Sequence, residues 1–147
     1  MTTTDEAHFA GLEGVFYAGP VNDFFSASIH VEYGLAKIEM EIREAYFHAG
    51  REVHGAVLFK LLDDAAFYAA NSVEREQFML TSAFTTYFLR PATKGNLRAS
   101  GKVLSRGRSQ VVAESVIYDA ESKEVARGSG IFTRTDTRLG QVTGYRE

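Results

Sequence analysis

The 147-residue chain is 45% hydrophobic and 24% charged, the balance of an ordinary globular protein whose length suits a single domain. Its formal charge of −3, with basic residues scattered, excludes the broad electropositive face that drives nucleic-acid binding, and the absence of cysteine excludes disulfides, thiolate zinc sites and cysteine nucleophiles. The start Met1-Thr-Thr-Thr-Asp-Glu has neither the basic opening nor the apolar run of a signal peptide, and no apolar stretch approaches the ~20 residues of a membrane span; the expected location is cytoplasmic, with no membrane partner.

Along the chain, Phe9, Leu12 and Phe16 recur at helical spacing between Asp5 and Tyr17, which predicts a short leading helix, closed by the turn signal Gly19-Pro20. Two alternating runs follow. Ile29, Val31 and Tyr33, then Ile38, Met40 and Ile42, read as the strands of a hairpin turned at Gly34. Between His54 and Asn71 the period changes to 3.6, with Val57, Leu58, Leu61, Leu62, Ala65, Tyr68 and Ala69 on one stripe and Phe59, Ala66, Phe67 and Ala70 elsewhere. So apolar a helix needs cover on most sides, and only Lys60, Asp63 and Asp64 interrupt it.

Beyond Gln77 the period returns to two, over Leu80–Leu89, Leu97–Leu104, Gln110–Tyr118 and Glu124–Thr133. The connections at 90–95, 106–109 and 119–123 have the length and turn chemistry of hairpins, which predicts a four-stranded antiparallel meander. The expected class is α+β, one domain over 1–147, with a helix and turn in 1–24 and a flexible tail in 135–147.

Two blocks carry a family resemblance. His54-Gly55-Ala56-Val57-Leu58-Phe59-Lys60-Leu61-Leu62-Asp63 opens the central helix and sets an acid nine positions after a histidine. Thr81 through Phe84-Thr85-Thr86-Tyr87-Phe88-Leu89-Arg90-Pro91-Ala92 forms a strand ending in a proline turn. In this order, with Gly95-Asn96-Leu97, Ser105-Arg106-Gly107-Arg108 and Val125-Ala126-Arg127-Gly128 downstream, they resemble the PaaI-like acyl-CoA thioesterases of the hotdog superfamily. The chain departs from that pattern at His48, where many relatives carry asparagine, and at Ala56, where they carry a second glycine.

The resemblance implies a hotdog fold, an antiparallel sheet wrapped around one long helix, and hydrolysis of a coenzyme A thioester between subunits of a homodimer or homotetramer. Coenzyme A is then part of the substrate, and neither a cofactor nor a metal is expected. Asp63, costly to bury unpaired, is the expected general base or nucleophile, with a buried structural ion pair as the alternative. The Gly55 N–H at the helix start is the expected oxyanion donor; the alternative is that Gly55 merely allows close packing. Thr81 is expected to hold the water or the acid from across the interface, unless it is an ordinary strand threonine.

His54 is expected to order the loop through its ring nitrogens rather than transfer a proton. His48 reads either as a donor in the asparagine's place or as a surface histidine. Ala56, Phe84, Arg90 and the turn Arg106-Gly107-Arg108 are the expected substrate contacts, the arginines as partners of coenzyme A phosphates or as solvated side chains. Phe84, Tyr87 and Phe88 suggest a roomy apolar pocket. Asp64, four residues after Lys60, is assigned to a salt bridge, and its direction about 100° from Asp63 argues against a shared task. Two other functions compete: a non-catalytic acyl-CoA-binding sensor and a hotdog hydratase or dehydratase.

Overall fold

In the computed structural model, which describes residues 3–146, helix α1 (Thr3–Ala18) buries Phe9, Leu12, Val15 and Phe16. Pro20, whose ring fixes φ, opens a second helix, α2 (Val21–Phe25), which the sequence reading takes only as a turn; α2 buries none of its residues and ends at Ser26 in the left-handed region, φ 47°. Strands β1 (Ser28–Glu32) and β2 (Leu35–Glu41) pair antiparallel, as the alternation predicts, around Gly34 at φ 72°.

The central helix α3 (Gly55–Ser72) buries eleven residues, including Leu58, Leu61, Leu62, Ala65, Ala66, Ala69 and Ala70. Each buried leucine contributes about 1.5–3 kcal/mol. The alanines let the helix approach the sheet, where Gly101 of β4 (Asn96–Arg106) takes it at closest range: a Cβ there would lie 2.0 Å from the Ala65 carbonyl oxygen. Beside it the Ser115 hydroxyl of β5 (Gln110–Tyr118) donates to the Leu62 carbonyl at 2.7 Å.

Six antiparallel strands enclose α3 in the order β1-β2-β4-β5-β6-β3, with β3 spanning Gln77–Phe88 and β6 Glu124–Arg138. This corrects the predicted four-strand meander. β4, β5 and β6 do follow one another, but β3 pairs with β6 at the far edge, so residues 89–95 cross one end of the sheet instead of making a hairpin. Their seven residues reach ~23 Å when extended, enough to pass two intervening strands spaced at ~4.8 Å. Leu89 and Arg90 donate to the Val125 carbonyl, and the Ala92 carbonyl accepts from Val53 at 2.9 Å, tying the crossing to the loop before α3.

The predicted flexible tail is a second correction. β6 runs on to Arg138, Leu139 is 1% exposed with its N–H on the Glu76 carbonyl, and Val142 and Tyr145 pack against the core. The tail lies on α1 through a glycine pair, since a Cβ on Gly14 would meet the Gly144 carbonyl oxygen at 2.3 Å. A short turn with one apolar residue in three has neither a helical nor a strand period, so nothing periodic marked it.

Candidate functional site

At the start of α3, His54 caps the helix: its Nδ1 accepts the Ala56 N–H at 2.9 Å, and its carbonyl accepts from Val57 and Leu58. The Ala56 amide, an expected substrate contact, is therefore already engaged, whereas the Gly55 N–H has no acceptor among the described residues. His54 thus ties down the helix start through its ring. The Phe88 ring lies over Gly55, with 3.2 Å from its Cζ to where a Cβ would be, so glycine here also serves packing.

His48 stands beside this start. Its Nδ1 accepts the Gly50 N–H at 2.9 Å, its Nε2 lies 3.8 Å from Glu52, and its ring centre is 6.3 Å from that of His54. A cavity of about 390 Å³ gathers His48, Glu52, Gly55, Leu58, Phe88 and Arg90.

Asp63 opens into a different cavity, of about 450 Å³, between α3, α1, α2 and β3. Thr81 Oγ1 donates to Asp63 Oδ1 at 2.8 Å. Thr81 reaches the acid from within the same chain, because β3 runs alongside α3. Burial pushes the Asp63 carboxyl above its ordinary range, against the opposing pull of the Thr81 hydroxyl and of Lys60. The predicted Lys60–Asp64 ion pair is present. Yet Lys60 and Asp64 line the same cavity as Asp63, so the directions of the two acids do not separate them as expected.

Eight residues of helix place Asp63 ~12 Å along the axis from Gly55. Within one chain the two cavities share no lining residue.

The other expected contacts are scattered. Arg90 lines the helix-start cavity. Phe84 belongs to neither cavity; its ring fills the space left by Gly128 and Gly130 and meets Phe59 edge-on at 5.6 Å. Arg106, Gly107 and Arg108 form the β4–β5 turn, away from both cavities, where Arg106 approaches the Tyr33 hydroxyl at 3.4 Å and Arg134 donates to the Gly107 and Arg108 carbonyls. Tyr87 and Phe88 are exposed on β3.

Sequence reasoning missed the walls of the Asp63 cavity. Val21 and Asn22 come from α2, about forty residues upstream, and the Asn22 Oδ1 is buried with no hydrogen-bond partner. No local pattern marks such contacts. Glu52, beside His48, was missed too, although its i,i+4 spacing from His48 was there to be seen.

A long helix wrapped by a six-stranded antiparallel sheet defines the hotdog class. Residues 52–126, just over half the chain, match the family described as the thioesterase superfamily, and the chain belongs to it. At family level its activity is thioester hydrolysis. A protein of Saccharolobus solfataricus named as a candidate esterase is 30% identical over 111 residues, covering 76% of this chain and 79% of the relative. The solved PaaI protein of the E. coli phenylacetic acid degradation operon aligns with TM-score 0.85 at 25% identity, over 92% of this chain and 99% of that one. A Streptococcus mutans protein solved bound to acetyl-CoA shares the fold, with TM-score 0.70 at 19% identity over 76% and 90% of the two chains. No described helix is long and apolar enough to cross a membrane.

Proposed function

We propose that the protein is an acyl-CoA thioesterase that works as a homo-oligomer, with Asp63 of one copy facing the Gly55 end of α3 in another. The observation that carries this reading is the Asp63 carboxylate itself, set in an apolar helix, held by Thr81 at 2.8 Å and open to a cavity. Burial strengthens it as a base. The free Gly55 N–H, with the helix macrodipole behind it, suits the oxygen of a thioester carbonyl. The acetyl-CoA bound to the Streptococcus mutans relative supports coenzyme A thioesters as the ligand class.

In the simplest route Asp63 takes a proton from water as the water oxygen bonds to the carbonyl carbon. The charge then on the carbonyl oxygen is met by the Gly55 N–H of the neighbouring copy. Collapse of this intermediate breaks the carbon–sulfur bond, and the coenzyme A thiolate leaves and takes up the proton, giving a carboxylic acid and free coenzyme A. If Asp63 instead attacks directly, the coenzyme A thiolate leaves from a mixed anhydride of Asp63 and the acyl group, and water that opens this anhydride at the Asp63 carbon leaves its oxygen in the Asp63 carboxylate. Arg90 and the Arg106–Arg108 turn are the candidate phosphate partners.

Strand β3 links the two cavities: Leu80 and Thr81 line the Asp63 cavity, and Phe88 lines the Gly55 cavity. Two copies joined antiparallel along β3 about a two-fold axis would bring one copy's Phe88 end beside the other's Thr81 end.

The test is release of free thiol from a panel of aryl and aliphatic acyl-CoAs by the wild type and Asp63→Asn, with acyl-CoA binding measured alongside. We expect the variant to bind while its turnover falls at least 100-fold, the lower range of what a positioned base contributes. Undiminished turnover in Asp63→Asn overturns the assignment; binding without hydrolysis by either protein makes it an acyl-CoA sensor. Sedimentation showing only a monomer at assay concentration overturns the shared site.

A further inference from the structure

We propose that the Lys60–Asp64 ion pair tunes Asp63: by engaging the Lys60 ammonium, Asp64 keeps that cation from neutralising the neighbouring carboxylate. The inference rests on the reading of Asp63 as the reacting group and makes Lys60 and Asp64 positioning residues for it.

One ammonium stands here between two acids. Lys60, Asp63 and Asp64 occupy positions i, i+3 and i+4 of α3, so the lysine has a carboxylate within reach at both spacings that meet on a helix face. All three line one cavity. The ammonium is bound to Asp64, while Asp63 takes a neutral partner, the Thr81 hydroxyl. Two rings hold the lysine from the other side, Phe16 of α1 at 5.8 Å and Phe25 of α2 at 5.5 Å from Nζ to the ring centres.

The pair is largely withdrawn from water, at 19% and 15% side-chain exposure. Replacing such a pair by apolar residues of similar volume is often neutral or stabilising, so the pair is poorly explained as a source of stability. Its charge beside Asp63 offers a better account. A free Lys60 cation would stabilise ionised Asp63 and weaken it as a base; a lone Asp64 anion would repel it and keep it protonated. Paired, Lys60 still pulls the Asp63 carboxyl down, and its contact with Asp64 limits that pull. The other titratable group lining the cavity is Tyr68, kept protonated by burial and by Asp64. The lining residues from α1, α2 and β3 carry no charge.

The test is a carbon-13 NMR titration of aspartate side-chain carboxyls in the full-length protein, with the Asp63 signal assigned from Asp63→Asn, and pH–rate profiles on the same samples. Asp64→Asn should move the Asp63 midpoint about one pH unit lower, the small end of what a nearby opposite charge does to a carboxyl. Its plateau turnover should fall about 3-fold with the weakened base. Lys60→Met should move the midpoint the other way, and Lys60→Met/Asp64→Asn should titrate between the two single variants.

Single variants that shift Asp63 in the same direction, or not at all, overturn the proposal, as does a double variant displaced as far as either single. Should one single variant fail to fold, the other and the double, which buries no charge from this pair, decide the matter. Because the titration needs no turnover, the midpoints can behave as stated while hydrolysis proves independent of Asp63. The tuning then stands and the assignment of Asp63 as the reacting group falls.

Discussion

Replacing Gly101 with alanine tests the packing that holds the site. A Cβ at this position would stand 2.0 Å from the Ala65 carbonyl oxygen, 2.3 Å from its carbon and 2.7 Å from the Ala66 nitrogen, all backbone atoms of α3, while ordinary contact begins at 3.4 Å. No rotamer relieves the clash, so helix and strand must part by about 1.4 Å at that point. A radial gap of ~0.5–1 Å already forfeits a quarter to a half of the dispersion attraction between facing atoms. Leu61, Leu62, Ala65 and Ala69, each at most 2% exposed, would lose contacts together. We expect a loss of about 3 kcal/mol or more, at or beyond the upper end for overpacking, because backbone must move. For a domain of this size that is a fall of roughly 6–12 °C in Tm. Urea denaturation followed by circular dichroism measures it, with Gly140→Ala as the control, since nothing lies within 4 Å of a Cβ there. Moving α3 also draws Asp63 away from Thr81, so turnover should fall with stability. If Gly101→Ala unfolds within 1 kcal/mol of the control, α3 is not seated on this glycine and the reasoning fails.

Asp63→Asn should be more stable than the wild type at neutral pH. Burial holds the folded carboxyl above its unfolded range, so the wild type loses stability as pH rises through the folded value, and the difference in Tm should close at acid pH, where both forms are neutral. A variant that is less stable at pH 8 contradicts this. Glu74 behaves in the opposite sense. Its burial favours the neutral form, but the Glu76 and Gln77 N–H groups and Arg134 outweigh this and hold it below the usual carboxylate range. Its contribution is present above the unfolded value and lost as pH falls through the folded one. Glu74→Gln should therefore lower Tm at pH 7 and converge on the wild type in acid. Arg134→Ala, which strands a buried carboxylate, should cost about 3 kcal/mol in urea denaturation at pH 7.

What the sequence made legible was local. The apolar stripe of α3 reads directly, because Val57, Leu58, Leu61, Leu62, Ala65, Tyr68 and Ala69, all buried, follow the helical repeat, and the alternation in β1, β2, β4 and β5 reads from its own period of two. The partner of β3 does not, since alternation says which face of a strand is buried and nothing about its neighbour. A seven-residue connection serves a hairpin or a crossing equally well. The tail escaped notice because Leu139 is buried by contacts made elsewhere in the chain.

The site divides in the same way. Asp63 and Gly55 stand out in sequence, one as a charge within an apolar helix, the other at its capped start. That Thr81 meets Asp63 within its own chain depends on β3 lying alongside α3, a consequence of the strand order that periodicity missed. Asp64 shows the limit of angular reasoning: neighbours 100° apart on a helix still share a cavity when its volume is about 450 Å³ and a lysine one turn before lines it with them.

The two edges of the sheet suggest why a shared site would form along one of them. At β1 the edge amides are engaged from α1, with the Ile29 N–H donating to the Tyr17 hydroxyl at 3.1 Å and the Val31 N–H to Glu13 at 2.9 Å, so another strand would have to displace these side chains. The β3 edge has no strand beyond it among the described residues and exposes Leu80, Tyr87 and Phe88, the kind of edge that proteins cover or pair. Thr81 and Phe88 on this strand mark the two separate cavities. Eight residues of helix keep Gly55 and Asp63 ~12 Å apart in one chain, a distance no side-chain rotation closes. An antiparallel union along β3 would close it twice, once on each side of the two-fold axis. Each α3 would then supply its start to one site and its middle to the other.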